Sequence, residues 1–182
     1  MRLGATRKVE IQMIQATKLS QIYDGAEDRI LLIGEDAEAA ACRLWLTQRM
    51  ANQIVQALVS WLSRQSSAQF SPSDAVTVQA WEQAAAIGQY VSASPVQWPS
   101  DRPTTLREGL VQATDLQRAG ENFRLVFHIK DDGPVAFPFS AIELRQWLSI
   151  IYGLYKNAGW PLEVWPAWFE RPLETATPSI VN

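Results

Sequence analysis

Three features of the sequence predict an α+β fold made of two similar strand-rich halves, each an antiparallel sheet followed by a helix, related by pseudo-twofold symmetry. Gln15-Ala16-Thr17-Lys18-Leu19 returns as Gln112-Ala113-Thr114-Asp115-Leu116. The apolar run from Ile30, a shorter run around Trp45 and a helix-like segment from Thr47 return in the same order as Leu125 to Ile129, Val135 to Phe139 and a segment from Ser140. The offset between the copies is 93 residues at Thr47 and Ser140, 95 at Arg29 and Arg124, and 97 at Gln15 and Gln112, a drift that two short differences in turn length produce. Self-similarity at a near-constant spacing sets the architecture before any local pattern does. Strands followed by a helix, repeated, build sheets whose helices cover one face. The chain then resembles a homodimer fused into one polypeptide. It divides into a first repeat at 1–65, a helical connector with a Pro-rich loop at 66–105, a second repeat at 106–160 and an aromatic tail at 161–182, all one compact unit.

In the first copy, Val9, Ile11 and Met13 alternate with Glu10 and Gln12, the period of a strand with one wet face. Gln15 to Tyr23 continues it or folds back as a second strand, and Asp24-Gly25 ends it in a turn. Arg29 to Ile33 is apolar on both faces and reads as a central strand stopped by Gly34-Glu35-Asp36. Ala39 to Leu46 holds alanines suited to a helix, but Cys42, Leu44 and Leu46 alternate, and the second copy favours a strand. Thr47 caps a helix whose apolar positions Met50, Ile54, Leu58, Trp61 and Leu62 recur at spacings of three and four.

The connector reads as a cap at Ser71, Pro72 in the first turn, a helix over residues 73–92 carrying Val76, Val78, Trp81, Ala85 and Ile87, and extended chain from Ser92 to Pro103. In the second copy, a strand within Leu106 to Arg118 turns at Ala119 to Asn122 into the run Phe123 to Lys130. Asp131-Asp132-Gly133-Pro134 is a tight turn, because Asp-Gly tolerates positive φ. Val135 to Phe139 is a strand that Pro138 restricts to an edge or an end. Ser140 and Glu143 form a capping box, Leu144, Trp147, Leu148, Ile151, Leu154 and Tyr155 give the helix its apolar face, and Asn157-Ala158-Gly159 closes it before Pro161.

A net charge of −3 and a pI near 5.2 exclude the broad positive field of a duplex-DNA binder. The deficit sits in the connector, where residues 65–101 carry three acids and no base. One cysteine and a start without a long apolar run after Met1 point to a cytoplasmic setting, and no stretch reaches the roughly 20 apolar residues that insertion into a membrane requires. No metal or cofactor motif is present: His128 is the only histidine, and no Gly-rich phosphate loop occurs. A hydrolase or transferase would have to use His128 with a turn carboxylate, Glu35, Asp36, Asp131 or Asp132, all ordinary turn residues. Cys42 reads as a small buried hydrophobe, since Arg43 beside it points to the opposite face of a strand.

Two binding readings remain. Trp160, Trp165, Trp168 and Phe169 are broken up by Pro161 and Pro166, so they either cover the chain's own core or anchor a protein partner or a second copy. This favours a non-catalytic interaction or assembly module. The alternative is a single-stranded nucleic-acid binder using a sheet face, with Arg7, Lys8, Lys18, Arg29 and Arg43 for phosphates and Tyr23 for stacking. In topology alone, a repeated sheet-plus-helix unit resembles the Whirly and PUR-like single-strand-binding folds, which implies that second function. Six acids between Asp24 and Glu38 occupy the same stretch and oppose it.

Overall fold

The computed structural model describes residues 13–38, 40–67, 71–90, 105–119, 122–130 and 132–170. The fold is mixed α+β. The described residues form a curled seven-stranded sheet and four helices, in the order β1 (Ile14–Gln15), β2 (Lys18–Asp24), β3 (Arg29–Glu35), β4 (Ala41–Thr47), α1 (Gln48–Ser67), α2 (Pro72–Gly88), β5 (Leu106–Ala119), β6 (Asn122–Ile129), β7 (Val135–Phe139), α3 (Ala141–Ala158) and α4 (Ala167–Glu170). The expected strand at Val9 and Ile11, the extended chain from Ser92 to Pro103 and everything after Glu170 lie outside the described residues.

The strand order is β1-β7-β6-β5-β4-β3-β2. Neighbours run antiparallel except β4 with β5 and β1 with β7, which are parallel. The two outermost strands come from one stretch of chain. The consecutive amides of Ala16 and Thr17 donate in opposite directions, to Ala136 O on β7 at 3.0 Å and to Glu35 O at the end of β3, the partner of β2, at 2.9 Å. The sheet therefore curls until its two ends come from adjacent residues at this point.

Alternation decides which side chains point inward. Ile30 and Leu32 on β3, Cys42, Leu44 and Leu46 on β4, Phe123, Leu125, Phe127 and Ile129 on β6, and Val135, Phe137 and Phe139 on β7 all join one buried cluster. Each such aliphatic or aromatic side chain contributes about 1.5–3 kcal/mol on full burial. Packing inside the curl is tight at Gly34. A Cβ there would come within 2.8 Å of Cys42 Sγ and 2.9 Å of Phe137 Cε1, so glycine is the residue that lets Phe137 cross the interior.

Ala41 to Thr47 is a strand, and its ladder partners are β3 and β5. Pro138 is accommodated because β1 pairs only with Val135 and Ala136, so no strand on that side calls on the missing N–H. The helix ends follow local chemistry. Thr47 Oγ1 accepts from Met50 N at 3.2 Å, Ser71 accepts from Asp74 N at 3.3 Å with Pro72 in the first turn, and Ser140 and Glu143 form a complete capping box. Gly159, at φ 67°, ends α3 in the left-handed conformation.

Each long helix reaches across the molecule. α1 packs on β4, β3 and β5, α3 on β2 and β7, and α2 lies against α1, α3 and α4. The fully buried Tyr155 ties α3 to α1 by donating to Asn52 Oδ1 at 2.8 Å, and burial raises its phenol pKa.

Candidate interaction surfaces

The tail aromatics are placed inside. Trp160, Trp165 and Trp168 are buried members of the core cluster, and Phe169 packs partly buried against it. Trp165 stands edge-on to Tyr155 and Tyr152, with centroids 5.4 and 5.1 Å apart. Trp160 meets Tyr23 and Tyr155 edge-on and donates from Nε1 to Asp28 Oδ1 at 2.8 Å. As partner anchors these rings are already engaged by the chain itself, because aromatic area of this size is stabilised most by its own core.

The described cations suggested for nucleic-acid contact, Lys18, Arg29 and Arg43, each sit beside an acid. Lys18 is 3.6 Å from Glu35, Arg29 is 3.4 Å from Glu27, and Arg43 is 3.4 Å from Glu108. The Tyr23 hydroxyl donates to Asp28 at 2.8 Å, an interaction that raises its pKa. Arg7 and Lys8 lie outside the described residues.

His128 Nε2 and Asp115 Oδ2 share a hydrogen bond of 2.7 Å on the outer sheet face, both side chains well exposed. Asp115 comes from a strand, and the turn acids are engaged elsewhere. Glu35 pairs with Lys18, Asp36 accepts from the amides of Glu38 and Ala40, and Asp132 lies 3.6 Å from the buried Arg107. Asp131 lies outside the described residues. The Cys42 thiol is completely buried and pushed up to about 12 by desolvation, far from the range of a nucleophile. No group of three or more His, Cys, Asp or Glu able to hold a metal is found among the described residues. No helix among them is long and apolar enough to cross a membrane.

The least expected surface belongs to α2, whose polarity is inverted. Gln79 and Gln83 are 2% exposed, whereas Trp81 is 63% and Ile87 50% exposed, with Val76 and Tyr90 also open. The buried amide N–H groups find acceptors inside the helical layer, whereas Gln83 Oε1 is buried with no hydrogen-bond partner among the described residues. Gln79 Nε2 donates to Leu62 O at 2.8 Å, and Gln83 Nε2 donates to Arg145 O at 3.0 Å and Ser149 Oγ at 2.7 Å. Arg145, 5% exposed, donates from Nη2 to Gln79 Oε1 at 2.8 Å and to Glu82, and desolvation lowers its pKa. Between the ends of α1 and α2 and the start of α3, this network borders a pocket of about 470 Å³ lined by Trp61, Phe123, Ile142, Arg118 and Arg145 among others.

From sequence, Val76, Trp81 and Ile87 are apolar positions of the helix, and their spacing does not say which way they face. The available signal was the scarcity of charge: only Asp74 and Glu82 are ionic in α2, so the helix has no face suited to water. Comparison of the chain with protein-family models, with curated proteins and with solved structures finds no match.

Proposed function

We propose that the protein is a non-catalytic interaction module built on an internal duplication, and that the outward face of α2 joins it to a second copy of itself. The inverted polarity of α2 carries this reading. A solvent-facing helix that buries two glutamines and exposes a tryptophan and an isoleucine is stable in that orientation only if the apolar side gains a cover.

A second copy is the occupant that fits. The outward face is uncharged, since Glu82 is turned to Arg145 and Asp74 to Ser71, so it offers no charge pattern to a differently charged partner. It is also self-complementary. At 100° per residue, Trp81 and Ile87 fall symmetrically about Ala84. An antiparallel pair centred on Ala84 sets Trp81 of each copy against Ile87 of the other.

The duplication is supported by the pairing pattern. β2-β3-β4-α1 and β5-β6-β7-α3 share one order, the two parallel joins, β4 with β5 and β7 with β1, occupy equivalent places, and the caps Thr47 and Ser140 do the same work. Among the described residues α3 is followed only by the four-residue α4, far shorter than α2, so an interface on α2 leaves the duplicated body as scaffold.

Sedimentation velocity on the full chain from about 1 to 100 µM tests this; association at the upper end is expected, with Trp81→Glu and Ile87→Lys shifting it to monomer. A wild-type chain monomeric throughout, or association indifferent to both substitutions, contradicts it.

A further inference from the structure

The long strand β5 meets its two neighbours one after the other. Leu106 to Leu110 pair with β4 on one side, and after a register shift between Val111 and Ala113 the strand pairs with β6 on the other. Beyond Leu110 no described strand lies on the side opposite β6, and no turn or loop among the described residues makes a backbone hydrogen bond there. Alternate residues of Gln112 to Gln117 therefore aim N–H and C=O away from β6, where no strand receives them. Gln112, Ala113, Asp115 and Gln117 are exposed, and the stretch holds neither proline nor lysine, the residues that ordinarily block such an edge.

Leu116, within this stretch, lines a groove of about 570 Å³ together with one flank of α1. Gln53, Ala57, Ser60 and Arg64 recur at spacings of three and four, so they stand in one row, and Trp61 lies beside them. The row is about 16 Å long, the length of about five residues of extended chain. The lining is uncharged except for Arg64, which is already engaged. Asp115 points to the other face of the sheet, bound to His128. No described residue of α2 lines the groove, so it is separate from the proposed dimer face.

We infer that this groove takes an extended peptide segment of a partner protein, which joins the free edge of β5 as an added strand and turns alternate apolar side chains toward Leu116, Ala57 and Trp61. Main-chain hydrogen bonds to β5 supply affinity, and the row on α1 selects the side chains. The unpaired backbone groups call for a peptide main chain. The uncharged lining calls for side chains without charge, since an ion brought there loses water and gains no counter-ion. A folded second copy needs about 800 Å² on each partner, several times what a slot one strand wide and about 16 Å long offers.

The test is fluorescence anisotropy of a labelled heptapeptide alternating threonine and valine, titrated with the full chain. Saturable binding below about 1 mM is expected, and it is equal in Trp81→Glu, which probes the α2 face alone. Backbone N-methylation of the peptide, glutamate in place of its valines, and Ala57→Trp at an exposed position of α1 each weaken binding about tenfold or more. Amide exchange followed by NMR slows within Gln112 to Gln117 when the peptide is added. No saturation up to about 1 mM overturns the assignment, as does equal binding of the N-methylated peptide, undiminished binding by Ala57→Trp, or protection confined to other residues. Protection of Gln112 to Gln117 that rises with protein concentration in the absence of peptide places a second copy on the edge and overturns it too.

Discussion

Trp160 Nε1 and Asp28 Oδ1 lie 2.8 Å apart although 132 residues separate them in the chain. This bond fastens the segment after α3 to the turn between β2 and β3. The same oxygen accepts from the Tyr23 hydroxyl at 2.8 Å, so one carboxylate orders two aromatic rings that also meet edge-on. The hydrogen bond from Trp160, then that from Tyr23, holds the Asp28 carboxyl below its ordinary pKa.

The sign of the pH dependence follows. A depressed folded-state pKa contributes stability that is present above the unfolded value and is lost as pH falls through the folded one. Asp28→Asn should therefore melt at a lower temperature than wild type at neutral pH, and the difference should shrink as pH falls below about 3.8, the ordinary value of the carboxyl. Asparagine tolerates the positive φ of 50° at this position, so the substitution isolates the charge. Thermal melts at pH 7 and pH 3 check it, and a gap that stays constant between them rejects the role of the carboxylate.

Gly34→Ala should destabilise by about 1–3 kcal/mol, because its methyl must displace Cys42 Sγ or the Phe137 ring within a closed curl. Urea unfolding measures this. Pairing it with Phe137→Leu should recover part of the loss, since the smaller side chain returns space at the contact.

Trp165→Ala should cost about 3–5 kcal/mol, the usual range for truncating a buried tryptophan. Trp165 is buried against Tyr152, Tyr155 and Phe169. A loss within about 0.5 kcal/mol in urea unfolding, as for an exposed side chain, would show that the tail does not close the core.

Glu82→Gln removes the counter-ion of a buried arginine and should cost about 2 kcal/mol. That lies below the range of roughly 3–5 kcal/mol for fully buried pairs because Glu82 is half exposed. Glu82→Gln combined with Arg145→Met should be closer to wild type than Glu82→Gln alone, since no uncompensated charge remains.

Much of the fold was legible because alternation and caps are local. The runs at Arg29–Glu35 and Asn122–Ile129, the cap at Thr47, the Ser140 box and the Pro72 start all follow from neighbours in sequence. Ala41–Thr47 needed the second copy, since its alanines suit a helix and only ladder pairing on both sides makes it a strand. What stayed hidden depends on partners distant in sequence. The inward turn of Gln79 and Gln83 exists because Leu62 O, Arg145 O and Ser149 Oγ accept from their amide N–H groups, and that rotation is what turns Trp81 outward. The burial of Trp160 likewise needs Asp28 and Tyr23, which no local pattern connects to it.

The pairing of two α2 helices about Ala84 is tested most directly by a single engineered cysteine. Cys42 is fully buried, with its thiol pushed up to about 12, so it stays silent in the folded chain. Under mild oxidation, Ala84→Cys should give a disulfide-linked dimer, because this position sits on the proposed twofold axis, while Gln117→Cys, exposed on β5, should remain monomeric. Failure of Ala84→Cys to cross-link, or equal cross-linking of the two variants, would contradict the proposed interface.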